Sequence, residues 1–531
     1  MSRGLTSRRT LRRLALPLAA AFVLSACGGG GGGEQPQVTS EAPTDGVLRL
    51  SFLQDPGQPP DPDIYYAGQG LILTQNLYEG LLQYEAGTEE PTIVPALATE
   101  WSASEDNRVF TLTLREGVTF HDGTPFDSSA VKPSFDRRLA VGQGPAYMVS
   151  DVASVETPSP TQVVITLTAP NSAFLDYLAS PYGPKMMSPT VLSEQAGDDF
   201  AQTYLQTNDA GTGPYTLTRA DVGQAYQMKA YEGWWGGDVH FQTVELPVIT
   251  DLSTQQLMLN DGELHAILHD LNAPAVEDYL GNDEVTSYSL PSFMTEQMYL
   301  NPNTGLFADV EARRAFQQAI DIETLREQVF SGRSEEPQGN YPAGLLPADL
   351  DVQDIEPDTA PLEEIAASAS AEDKRIVLGY DTSQPDDQQL ANLVSAKLQG
   401  LGLTPEVQGY TTSEVFGWIG NQEGAPNALF SSYWPDAAHP YTSAHILYAA
   451  DGGLNYLGCS DPAIDALLPQ SLETGDPATF AQIGTLASET GCWTNLAYRQ
   501  DFMVAQTWLE GVEESKDIAA PMSLRIAGLS A

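Results

Sequence analysis

The chain has 531 residues, of which 71 are Asp or Glu and only 24 are Lys or Arg, giving a formal charge of −47. A surface so negative repels phosphates and offers none of the counterion release that drives nucleic-acid binding, so DNA and RNA are excluded as partners. The length supports about three domains and a sizeable core.

In chain order, Arg3, Arg8, Arg9, Arg12 and Arg13 precede an apolar stretch, residues 14–24, that is too short to span a bilayer as a helix. This reads as a signal peptide over residues 1–26. Ser25 and Ala26 stand directly before Cys27. That is the pattern of the bacterial lipobox, in which the cysteine takes a diacylglycerol and the preceding bond is cut. Two acyl chains are the number needed for stable anchoring, so the sequence predicts a membrane partner through lipid on Cys27. Ser7-Arg8-Arg9-Thr10-Leu11 also resembles the twin-arginine signal, which leaves two export routes open. Residues 27–45, rich in Gly, Pro, Ser, Thr and Glu, bury too little apolar surface to order themselves and read as a flexible tether.

Beyond the tether, Thr74, Leu77, Tyr78 and Leu81 share one face at helical spacing. Phe110, Leu112 and Leu114, and again Val163, Ile165 and Leu167, alternate with the period of half-buried strands. Ala312, Phe316, Ala319 and Ile320 predict a second helix with Asp309 as its N-cap. The acidic stretch 349–373 is the most linker-like internal segment, although residues 362–367 can carry a helix. Ile376, Leu378 and Tyr380 predict a strand. Leu390, Val394, Leu398 and Leu401 predict a helix stopped by Gly400 and Gly402, and residues 404–407 the next strand. This is a β-α-β unit, so the fold class is mixed α/β.

After Cys27 only Cys459 and Cys492 remain. Export places this even pair in an oxidising compartment, where a bridge can persist and would contribute on the order of 3–4 kcal/mol in the chain-entropy model. Two free buried thiols are the alternative. Catalytic signatures are missing. There is no Gly-x-Ser-x-Gly elbow and no phosphate loop, and His265 and His269 lack the Glu of a His-Glu-x-x-His helix. The alternation of Leu264, Ala266 and Leu268 with these histidines, after Asp261-Gly262, reads instead as a strand following a turn. No enzyme activity and no cofactor are expected.

Several segments carry a family resemblance. They are Asn76-Leu77-Tyr78-Glu79-Gly80-Leu81, Val94-Pro95-Ala96-Leu97-Ala98 with Trp101, the long run from Phe110 to Val131, Gly211-Thr212-Gly213-Pro214-Tyr215, Trp234-Trp235-Gly236, and residues 310–321. In this order and spacing they resemble the family 5 extracellular solute-binding proteins, receptors that serve ABC importers of oligopeptides, dipeptides, nickel chelates and some sugars. The resemblance spans roughly residues 47–510. It implies a bilobal α/β binding-protein fold with a hinge and an extra inserted domain: lobe I at 46–73, 208–295 and 500–531, the inserted domain at 74–207, and lobe II at 296–499. It also implies a monomer that works with ABC permease and ATPase subunits on the extracytoplasmic face of the membrane. Within the long run, His121-Asp122 reads as a turn whose His is hydrogen-bonded locally.

The segment Ser431-Ser432-Tyr433-Trp434-Pro435-Asp436-Ala437-Ala438-His439-Pro440 resembles the family's Trp-x-x-Asp-Tyr-x-Asp-Pro region. The first acid of that region, four residues before the proline, pairs with the α-amino group of bound peptides; here it is Asp436. A carboxylate in a partly dry cleft gives an ammonium a charge-assisted hydrogen bond of about 1.5–3 kcal/mol. His439 replaces the family's second acid, and Trp434 sits one residue closer to Asp436 than in the family. Tyr433 and Trp434 are expected as flat cleft walls. Tyr65 and Tyr66 follow a Pro-rich stretch, residues 55–63, where the family chain enters its cleft. The expected ligand is a small solute, a peptide first. Metal chelates and siderophore-like molecules stay open, as do sugars, for which Trp234, Trp235, Trp418 and Trp434 could supply stacking surfaces. Six histidines argue against a direct imidazole cage for a metal.

Overall fold

The computed structural model describes residues 42–269, 271–350 and 355–531. The signal segment, Cys27, and the tether up to residue 41 lie outside them. The predicted strands form where alternation demands. Val109–Leu114 buries Phe110, Leu112 and Leu114, and it pairs antiparallel with Gln162–Leu167 so that Phe110 faces Ile165 and Leu112 faces Val163. With Ala98–Ala103 and Val152–Ser159 they make a four-stranded sheet. A second four-stranded sheet joins Val47–Arg49, Thr243–Pro247, Ala225–Ala230 and Tyr215–Asp221.

Next to it, Ala266–Ile267, Asp501–Gln506 and Val285–Leu290 form a three-stranded sheet. The largest sheet has six strands in the order Ser334–Glu335, Trp493–Arg499, Thr295–Leu300, Ala428–Tyr433, Arg375–Asp381 and Thr404–Tyr410. Its β-α-β unit is the predicted one. Arg375–Asp381 and Thr404–Tyr410 run parallel on either side of the helix Pro385–Gly400. That helix begins with proline at its first turn and carries Asp386 and Asp387 there and Lys397 in its last turn, the charge order its dipole favours. Gly402 then adopts φ +83°, a conformation that suits glycine. Asp309 caps the helix Val310–Ala319, accepting from the Glu311 amide at 3.0 Å. Cys459 and Cys492 form a disulfide across 33 residues of chain.

Two lobes follow from the connections. Val285–Leu290 in the three-stranded sheet continues into Thr295–Leu300 of the six-stranded one, and Trp493–Arg499 returns through Gln500 into Asp501–Gln506. These two short crossings are the hinge. One apolar cluster packs the four- and three-stranded sheets through Leu48, Tyr215, Met228 and Met503, and another packs the six-stranded sheet through Leu378, Leu390, Phe430 and Leu496. A third runs from Phe110 and Phe174 to Tyr448 and Trp493, so the inserted domain also packs against the second lobe.

Two expectations need correction. The helix Leu71–Leu77 stops one turn early, with Tyr78 extended and Leu81 beyond it. The Leu77 carbonyl, which a continuing helix would use, accepts instead from the Gly213 amide at 3.1 Å. A Cβ on Gly211 would lie 2.0 Å from that same carbonyl, so only glycine lets the two segments touch. His121 is not bonded locally: its Nδ1 meets the Asp209 carboxylate and its Nε2 donates to the Gly213 carbonyl at 2.9 Å. Burial opposes its charged form, but Asp209 outweighs burial and raises its pKa.

Candidate functional site

The strands Arg375–Asp381 and Ala428–Tyr433 run parallel, and residues just past their carboxyl ends, among them Ser383, Gln384, Trp434 and Asp436, border a cavity of about 580 Å³. Carboxyl ends of parallel strands are where open α/β sheets place ligands, because the chain leaves the sheet there and opens a crevice. The opposite wall comes from the other side of the hinge: Gln58, Tyr65, Tyr66, Gln69, Tyr182 and Met522. The cavity therefore lies between the lobes.

Asp436 is 5 % exposed. Tyr66 donates its hydroxyl to Asp436 Oδ2 at 2.5 Å, and Tyr147 donates to the same oxygen at 2.6 Å. Burial raises the Asp436 pKa, while the two phenols hold it back. Burial, joined by the Asp436 charge, raises both phenols well above their ordinary value, so they remain protonated donors. Ser180 donates to the Asp436 backbone carbonyl, and the Ala438 amide donates to the Tyr84 hydroxyl at 2.9 Å. Trp434 Nε1 donates to the Tyr182 hydroxyl at 2.9 Å, which in turn donates to the Ala67 carbonyl at 3.0 Å. The loop carrying Asp436 thus belongs to the second lobe but is held by residues from across the cleft.

Of the residues expected from sequence, Asp436, Trp434, Tyr433, Tyr65 and Tyr66 all line the cavity. Tyr65 is also mostly core: it is 3 % exposed, and its phenol oxygen accepts from the Gly70 amide. His439, also expected at the ligand, does not line the cavity. It is the N-cap of the helix Pro440–Tyr448, with Nδ1 accepting from the Tyr441 amide at 3.2 Å and the ring edge-on to Phe480. Burial holds its imidazole down at about 4, so it is neutral at physiological pH. Sequence reading misses Tyr147 and Tyr182. The turn-rich setting Pro181-Tyr182-Gly183-Pro184 is a signal that could have found the second; nothing local marks the first.

Of the four tryptophans considered for sugar stacking, only Trp434 borders the cavity. Trp234 and Trp235 donate to Glu79, and Trp418 packs edge-on against Tyr410. His265 and His269 are buried around the short strand Ala266–Ile267. Among the described residues, no group of three His, Cys, Asp or Glu side chains could hold a metal ion, and no helix is long and apolar enough to cross a membrane.

Two lobes joined by a hinge, with a cavity between them that a buried aspartate borders, define a binding-protein fold of the bilobal α/β class. Residues 92–455 match the family model described as bacterial extracellular solute-binding proteins, family 5 Middle, and the chain belongs to that family. It is 27 % identical over 483 residues to the probable D,D-dipeptide-binding periplasmic protein DdpA of Escherichia coli strain K12, covering 90 % of this chain and 89 % of that one. It is 26 % identical over 441 residues to the glutathione-binding protein GsiB of Shigella flexneri, covering 78 % and 81 %. The fold is shared with NikA from Brucella suis, solved in complex with Fe(III)-EDTA, at TM-score 0.79 and 22 % identity over 91 % of this chain and 99 % of that one.

Proposed function

We propose that this chain is the substrate-binding lipoprotein of an ABC importer, and that it captures a small amine-bearing solute, a peptide first, with Asp436 as the anchor for the ammonium group. The observation that carries this reading is a buried carboxylate beside a cavity of about 580 Å³ whose walls come from both lobes. A ligand there touches both lobes only when they are closed, so binding shifts the population toward the closed form, which a permease and its ATPase subunits can recognise. The proposed lobes are residues 46–73, 208–295 and 500–531 for lobe I, 74–207 for the inserted domain, and 296–499 for lobe II. The protein acts by binding and release, as a monomer, on the extracytoplasmic face of the membrane.

Asp436→Asn keeps the shape of the side chain and removes its charge. Calorimetry with alanine tripeptides is expected to read a loss of about 1.5–3 kcal/mol in affinity, at nearly unchanged melting temperature. Equal affinity of both proteins for every peptide bound would remove the peptide reading. Lipid on Cys27 keeps the receptor beside its permease. Cell fractionation of a Cys27→Ser chain is expected to move the protein from membranes to the soluble fraction, and retention on membranes would contradict the anchor.

A further inference from the structure

The charges around the cavity are one-sided. Its acidic side chains are Asp55, Asp381 and Asp436 and its one basic side chain is Arg499; among the described residues, no lysine and no histidine lines it. Asp55 spends its oxygens on neutral donors, the amides of Gly57 and Gly223 and the Tyr226 hydroxyl. Asp381 does the same, accepting from the amide and hydroxyl of Ser383.

Arg499 is balanced from behind. Its Nη2 lies 3.3 Å from Asp386 Oδ2 and its Nη1 3.5 Å from Glu296 Oε2. Asp386 is also held by Arg333 through two bonds of 2.7 and 2.9 Å. The fifth member is Asp387, wholly buried beside Glu296. Burial raises both of these carboxyls, Glu296 to about 7, and Asp387 is raised also because Glu296 repels its charge. Two guanidiniums, of Arg333 and Arg499, thus face three carboxyl groups, of Glu296, Asp386 and Asp387, and the Arg499 side chain is already paired inside the protein. The guanidinium at the cavity wall is already paired with carboxyls, whereas the three aspartates accept only from neutral donors.

We infer that the cleft selects ligands whose enclosed part is positively charged and carries no carboxylate: amines, C-terminally blocked peptides, or peptides whose terminal carboxylate lies outside the cavity. A carboxylate brought inside would meet like charges in a partly dry space with no uncommitted counter-charge, where such repulsion is far stronger than in water. An ammonium meets three. This rests on the reading of the cavity as the ligand site, and it separates this chain from any receptor that must hold an anionic chelate or a free peptide carboxylate.

The test is calorimetry at pH 8 with the di- and tripeptides of alanine, each in four forms: free, C-terminally amidated, N-acetylated, and blocked at both ends. The amide is expected to bind at least tenfold more tightly than the free acid, and N-acetylation to abolish binding. Asp381→Asn, which keeps the acceptor for Ser383 while removing the charge, is expected to narrow the amide-over-acid ratio several-fold at unchanged melting temperature. A free acid that binds as well as or better than its amide overturns the selectivity and leaves the peptide-receptor reading standing. An N-acetyl form that binds as well as the free amine, or no binding by any form, overturns that reading and the selectivity with it.

Discussion

Glu79, half-buried, and Asp436, buried, are both carboxyls held by neutral hydrogen-bond donors, yet their settings differ. Glu79 accepts from Thr212 at 2.7 Å, from Trp234 at 3.3 Å and from Trp235 at 3.0 Å, and Arg115 covers the Trp235 ring at 3.8 Å. Burial raises its pKa and these three partners hold it back. Each partner belongs to a segment that also carries the family resemblance, and none of them borders the cavity. Asp436 has two phenols, both reaching it from across the cleft, and it borders the cavity. A carboxyl whose donors sit on its own side of the hinge locks a fold. One whose donors cross the hinge is placed to couple closure to a ligand, which is the role we propose for Asp436. The chemistry is nearly the same in the two places; the topology differs.

The comparison breaks most visibly at Glu79. Glu79→Ala strands two half-buried indole N–H groups and the buried Thr212 hydroxyl, and a loss of about 2–3 kcal/mol is expected in chemical denaturation, with affinity retained by the fraction that stays folded. An unchanged denaturation midpoint would make this carboxyl as dispensable to the fold as Asp436 is expected to be.

A pH-dependent effect is expected at Glu296, whose carboxyl is fully buried. Its folded pKa of about 7 lies above the unfolded value near 4.5, so the native state keeps a proton that the unfolded chain releases, and stability falls as pH rises through that window. Glu296→Gln removes the proton from the balance. Urea midpoints should nearly coincide at pH 5 and favour the variant by about 2–3 kcal/mol at pH 8. A difference of the same size at both pH values would mean that Glu296 does not titrate in this window.

Much of this was legible in the chain. Period-two alternation placed Val109–Leu114 and Gln162–Leu167, and the switch to helical spacing and back placed the β-α-β unit, because both patterns are local. The end of the first helix was not, since what stops it is the Gly211–Gly213 backbone, more than 130 residues away. The Asp436 segment stood out for its aromatic and acidic residues, and it does border the cavity. His439, three positions on, looked equally polar but caps a helix, a distinction that depends on which way the chain turns at Pro440. Tyr147 was invisible because its only mark is the approach of Asp436, 289 residues along the chain.

The most direct measurement is a crystal structure of the protein with a bound alanine tripeptide. The account predicts the peptide's terminal nitrogen within about 3.2 Å of the Asp436 carboxylate, between the lobes, with the Glu79 contacts unchanged. A peptide bound elsewhere, or one held in the cavity with its amine directed away from Asp436, would contradict it.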